Sequence, residues 1–137
     1  MTGYVTKIAL LVLIMSSIVV GGWALFLPYE FYNAFPGFGH AWVSVDGPYN
    51  EHLLRDVGGL NLGIAGLSLL ALIRPTLASP RAVGVASGLY NVPHFLYHVQ
   101  HLGVLTPLDQ IANVLALGGV LLASMWLLLS TAITTKT

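Results

Sequence analysis

The stretch Ile8-Ala9-Leu10-Leu11-Val12-Leu13-Ile14-Met15-Ser16-Ser17-Ile18-Val19-Val20-Gly21-Gly22-Trp23-Ala24-Leu25-Phe26-Leu27 follows Lys7 and contains no charge. As a helix rising 1.5 Å per residue it spans a bilayer core of about 30 Å. Working outward, residues 53–73, 82–102 and 108–131 read as three further spans. The chain of 137 residues is 56% hydrophobic and only 7% charged, with mean hydropathy +0.83. Soluble domains carry roughly 25% charged residues, so an ordinary cytosolic protein is excluded. The expected fold is all-α: an integral membrane four-helix bundle, one domain over 1–137, with spans at about 8–27, 53–73, 82–102 and 108–131. An aromatic-rich outer segment joins the first two spans. The first apolar run exceeds the roughly 7–15 residues of a signal core, and no Ala-x-Ala site follows it. It is therefore expected to be a retained helix.

Composition excludes several function classes. Without cysteine the chain has no disulfide scaffold, thiolate metal site, thiol exchange or attached c-type haem. Formal net charge is zero and no basic patch exists, so nucleic acid is not an expected partner. The chain has no GxSxG, HExxH or phosphate loop. No glutamate falls within a predicted span, which removes the Glu-x-x-His pattern of carboxylate di-iron bundles. Nothing in the sequence identifies a reaction or a catalytic residue.

Charge sets the topology. Lys7 precedes the first span, Arg74 and Arg81 bracket the second connection, and Lys136 follows the last span. An even number of crossings puts all four on one face, which the positive-inside rule makes cytoplasmic. Both termini are thus expected inside, with residues 28–51 and 103–107 outside. Arg55 stands about one turn inside the opposite end of the second span.

Against this frame the histidines stand out. In Pro93-His94-Phe95-Leu96-Tyr97-His98-Val99-Gln100-His101, three imidazoles fall at i, i+4 and i+7, within an arc of about 60° on a helix. Polar groups in hydrocarbon are costly unless satisfied, and intramembrane ionisable residues are functional candidates. By depth His52 matches His101 and Asp109, and one turn deeper Asp56 matches His98 and Asn113; His94 lies roughly 10 Å in. The cytoplasmic halves hold nothing comparable, so a polar site near the outer face is expected. The patterns Gly59-x-x-x-Gly63 and Gly84-x-x-x-Gly88 predict close packing of the second and third spans, bringing Asp56 to the histidines. Pro93 frees the Leu89 carbonyl and predicts a kink, either for packing or to aim His94 and His98 inward. The outer segment holds half of the aromatics: Tyr29, Phe31, Tyr32, Phe35, Phe38, Trp42 and Tyr49. It reads as an interfacial belt with a short helix around residues 29–35, or as a lid contributing His40 or Tyr49.

Such a constellation suits a transition metal ion. The candidate ligands are His52, Asp56, His94, His98 and His101, an all nitrogen and oxygen set that favours Zn(II), Fe(II), Mn(II) or Cu(II) over Cu(I). Haem b, held by His94 or His98 with His52, is a weaker alternative because the third-span histidines are too clustered for one axial role. A quinone head group, another small polar ligand or a proton path would use the same residues without metal. A structural role, with histidines as interhelical ties, remains the plain alternative.

The run Gly47-Pro48-Tyr49-Asn50-Glu51-His52-Leu53-Leu54-Arg55-Asp56-Val57-Gly58-Gly59, the later Pro93-His94-x-x-x-His98 and the order of spans resemble the DoxX-like group of small four-helix bacterial membrane proteins. The resemblance covers most of the chain by architecture. It implies a bacterial plasma-membrane location and a loose association with oxidoreductase systems, as accessory or complex subunit. A direct thiol role does not carry over to a chain without cysteine, and no catalytic residue is transferred. Expected partners are membrane lipid and other membrane subunits or further copies of the chain.

Overall fold

The computed structural model describes residues 2–130. Helix α1 covers Thr2–Phe26, the short α2 Pro28–Ala34, α3 Glu51–Ile73, α4 Pro80–Gln100 and α5 Pro107–Leu129. A single 3-10 turn, Leu102–Val104, follows α4. Between α2 and α3 lie two-residue strands, β1 (Pro36–Gly37) and β2 (His40–Ala41), paired antiparallel with Pro36 opposite Ala41. Their turn needs three positive φ angles, at Gly37, Phe38 and Gly39, and two of the three fall on glycine.

Each later helix starts on a sequence signal. Asn50, Ser79 and Thr106 are N-caps whose side chains accept from the backbone N–H of Leu53, Ala82 and Asp109. Pro80 and Pro107 occupy the first helical turn, where the missing N–H costs nothing. Helix α4 continues through Pro93 to Gln100.

Among the described residues three helices are long and apolar enough to cross a membrane: Gly3–Phe26, Glu51–Ile73 and Pro107–Leu129. Helix α4 occupies the expected third span but is less apolar, since Asn91, His94, His98 and Gln100 dilute its C-terminal half.

In lipid, helix association depends on packing and close backbone approach rather than on expelling water. The α1–α3 and α4–α5 pairs are packed most extensively, with α1–α5 and α3–α4 closing the ring. Glycine makes both tight pairs possible. A Cβ added at Gly58 would lie 2.5 Å from the Leu25 nitrogen, and one at Gly84 would lie 2.7 Å from Leu128 Cα. This corrects the expected Gly59/Gly63 contact. A Cβ at either position meets nothing within 4 Å, and Gly84 and Gly88 face α5 instead of α3.

Two apolar clusters result. One joins Leu10, Leu13, Ala71, Val83, Ala123 and Leu127 near the end that carries Lys7, Arg74 and Arg81. The other packs Ala24, Phe31 and Leu54 with Trp23 and Phe35 at the opposite end, on the α1–α3 side. An apolar groove of about 490 Å³ runs between α1 and α5, lined by Ile8, Val12, Leu122 and Trp126.

Candidate functional site

At the end away from Lys7, Arg74 and Arg81, the α4–α5 side is polar where the α1–α3 side is apolar. Asp109 and Asn113 of α5 are buried there, and Asn61 of α3 and Asn91 of α4 are buried near mid-height. Asn61 Nδ2 donates to the Val57 carbonyl at 2.9 Å and to the Tyr90 hydroxyl at 3.4 Å, linking α3 to α4. Asn91 Nδ2 donates to Ser124 Oγ at 2.9 Å, linking α4 to α5. Asn113 Oδ1 is buried without a hydrogen-bond partner.

One turn above Asn113, Asp109 is the most heavily used polar group in the site. It is the third residue of α5, and Thr106 caps that helix reciprocally: Asp109 N–H donates to Thr106 Oγ1 at 3.3 Å, and the Thr106 hydroxyl donates to Asp109 Oδ2 at 2.6 Å. A carboxylate here also faces the positive end of the helix dipole. Its other oxygen, Oδ1, accepts from Trp42 Nε1 at 2.8 Å and lies 2.7 Å from His40 Nδ1. The outer segment is therefore tied across the top of α5.

On its far side that segment is held by aromatic packing. Trp23 meets Phe31 and Phe35 edge-on, each at 5.9 Å between centroids, and Phe35 meets Trp42 at 6.0 Å. Tyr49 packs on Tyr29 and Tyr32 rather than on the polar site. Partial burial, and next the Glu51 carboxylate, push the Tyr49 phenol above its ordinary pKa. Of the two lid candidates, the segment thus contributes His40, together with Trp42.

Helix α4 lays out a ladder of rings. Tyr90 stacks on His94 at 5.1 Å, and His94 meets His98 edge-on at 4.7 Å. Both imidazoles are half-buried, and Asp46 of the outer segment lies within electrostatic reach of both. His101 does not join them. The helix ends at Gln100, so His101 takes non-helical angles, stacks on Tyr97 at 4.0 Å and sets Nδ1 2.7 Å from the Tyr97 carbonyl oxygen.

His52 and Asp56 also stand apart. Their side chains are 91% and 63% exposed and lie 3.5 Å from each other. The Asn61–Tyr90 bond brings Asp56 to about the level of His94, nearly one turn deeper along α4 than the expected match to His98. The rotation differs as well. Asp56 is five residues from the inward Asn61, about 140° around the helix, and shares the open face of Gly59 and Gly63. Arg55 pairs with Glu51 at 2.8 Å and donates to the Leu25 carbonyl, so it is not Asp56's partner.

Of the five expected ligands, His94 meets His98 and His52 meets Asp56, but the two pairs lie on different faces and His101 joins neither. Among the described residues no group of three or more His, Asp or Glu side chains is arranged to hold a metal ion. The residues that sequence reading passed over are Tyr90, Asp46 and Trp42. Tyr90 had a signal, its i, i+4 spacing to His94, whereas Asp46 and Trp42 reach the site through a connection that no local rule specifies. Comparison of the chain with protein-family models, curated proteins and solved structures finds no match.

Proposed function

We propose that this is a four-span membrane protein that binds a transition metal ion (Zn, Fe, Mn or Cu) at the His94–His98 pair in its outer half. One observation carries the reading. Among the described residues His94 and His98 have no hydrogen bond or ion pair, whereas His40, His52 and His101 each have a polar partner. Two imidazoles at i, i+4 are suitable nitrogen donors for one ion, with the remaining positions open to solvent or a further ligand. This narrows the expected ligand set to two of its five members.

The test is elemental analysis of purified protein, followed by Zn(II) titration. Near-stoichiometric metal is expected, falling below about a tenth in His94→Ala or His98→Ala and retained in His52→Ala and His101→Ala. Protein that carries no metal and takes up no Zn(II) rejects the reading. A second reading, an organic head group that hydrogen-bonds to the same rings, is favoured by the unpaired Asn113 Oδ1 and the Tyr90–His94 stack. It requires a small molecule that co-purifies with metal-free protein and is lost in His94→Ala.

The fourth crossing is part of the proposal. Thr6 near the start of α1 meets Trp126 near the end of α5, and Gly21 of α1 meets Leu62 of α3, so α3 and α5 both run opposite to α1. The chain between them must return, and α4 is the only long element there. With Lys7, Arg74 and Arg81 at one end, the positive-inside rule supports cytoplasmic termini; Lys136 lies outside the described residues. An accessory or subunit role in a bacterial membrane oxidoreductase, as the DoxX-like resemblance implies, is supported by the large apolar side chains exposed along α1, α4 and α5.

A further inference from the structure

We propose that the outward stripe His52, Asp56, Gly59, Gly63 and Gly66 of α3 is the face on which a second copy of this chain docks. One observation of charge and one of packing carry the inference. His52 and Asp56 lie 3.5 Å apart, with side chains 91% and 63% exposed. Helix α3 is long and apolar enough to cross a membrane, and its 23 residues extend about 34 Å. Asp56 therefore lies about 5 Å inside a bilayer core of about 30 Å centred on the helix. A carboxylate at that depth, turned away from the rest of its own chain, is costly to leave against lipid and calls for a polar cover. The three glycines follow it along the same face. A Cβ added at any of them meets nothing within 4 Å, so packing within one chain gives no reason for glycine there. Alanine would also favour the helix more.

Pattern and chemistry together select a second copy as the occupant. The five positions follow at intervals of 4, 3, 4 and 3 residues, a 3.5-residue period. They span an arc of about 80°, opposite the face that buries Leu54, Asn61, Ala65 and Ser68. A stripe of that period stays in contact along its length with one parallel helix crossing at about 20°. Copies inserted the same way up present α3 to each other in parallel, about a two-fold axis along the membrane normal. In such a pair each side chain sits among residues a turn along on the facing helix, so His52 meets Asp56 of the partner subunit. The face is thus self-complementary in charge, carrying both halves of a contact that the two-fold axis repeats. The glycines let the backbones close in alongside those contacts. In dilute detergent, where copies separate, the same face is open.

Because the chain contains no cysteine, one introduced thiol reports on contacts between copies. In native membranes treated with iodine as a mild oxidant, His52→Cys should form disulfide-linked dimer at least about tenfold faster than Leu108→Cys, an equally accessible position at the start of α5. Adding Gly63→Leu should slow His52→Cys cross-linking about tenfold, and Gly59→Leu should do the same. Both substitutions point where an added Cβ meets nothing in the chain, so the single copy still folds. The polar contact is read with purified protein in phosphatidylcholine vesicles, labelled with donor or acceptor dye at Leu77→Cys, which lies off the stripe. Energy transfer should survive dilution into excess lipid, and His52→Ala or Asp56→Asn should each weaken the pairing about threefold to tenfold. Equal cross-linking at the two thiol positions, or pairing that ignores both glycine substitutions, overturns the proposal. So does His52→Cys cross-linking in membranes to a different chain with no energy transfer in vesicles, which identifies another subunit as the occupant. None of these residues belongs to the His94–His98 pair, so metal content and pairing are read independently.

Discussion

Asn113 shows how much a single buried amide can tell about this site. Its Oδ1 is buried with no donor, and an unsatisfied buried carbonyl costs about 1–3 kcal/mol. Asn113→Leu removes that group at similar volume. It should raise the thermal unfolding midpoint of metal-free, detergent-solubilised protein by a few degrees, roughly 2–6 °C. A lowered midpoint would mean that Oδ1 has a partner in solution, an ordered water or an occupant, and would favour the organic-ligand reading. At this scale the sequence was readable only along one helix. The i, i+4 spacing paired His94 with His98 because α4 is regular there, and it misplaced His101 because the helix stops one residue earlier. Thr106-x-x-Asp109 is a visible capping pattern. Its second use, as acceptor for Trp42 and His40 from 67 and 69 positions away, depends on how the outer segment folds back, which no local spacing encodes.

Among the helices, glycine separates faces that look equivalent in the sequence. Gly59/Gly63 and Gly84/Gly88 are the same motif, yet only the second is used within the chain, and the closest α1–α3 approach uses Gly58 and Gly21. The choice follows from what else shares each face. Leu54, Asn61 and Ala65 turn Gly58 inward, while His52 and Asp56 keep Gly59 and Gly63 outward. Opposite signs are therefore expected for one substitution. Gly59→Ala and Gly63→Ala meet no atom and favour the helix by up to about 1 kcal/mol each. Gly58→Ala and Gly84→Ala press a methyl into the backbone of α1 or α5 and should cost about 1–3 kcal/mol. Thermal unfolding of the four variants in one detergent tests this, and destabilisation at Gly59 or Gly63 would show that this face is covered. The positions of the long helices were legible throughout, since their caps and prolines are local signals. The rotation of α3 was not.

For the whole molecule the decisive question is whether α4 crosses. Hydropathy alone leaves it short, because the outer half that carries the site also carries the polar residues. The packing makes the stronger case: α3 and α5 run in the same sense against α1, and α4 is tied to both by the Asn61–Tyr90 and Asn91–Ser124 bonds. A polar helix in this position is sheltered by its neighbours, so the cost of its imidazoles in hydrocarbon is reduced. The two connections that bound α4 should therefore lie on opposite sides of the bilayer. Leu77 and Val104 are 70% and 51% exposed in those connections, and neither belongs to the site. In intact bacterial cells a membrane-impermeant maleimide should label Val104→Cys directly and Leu77→Cys only after lysis, the latter sharing its face with Arg74 and Arg81. Labelling of both from outside, or of neither before lysis, would mean that α4 returns to the side it left. The His94–His98 pair would then be an interfacial site, reached from water without crossing the hydrocarbon.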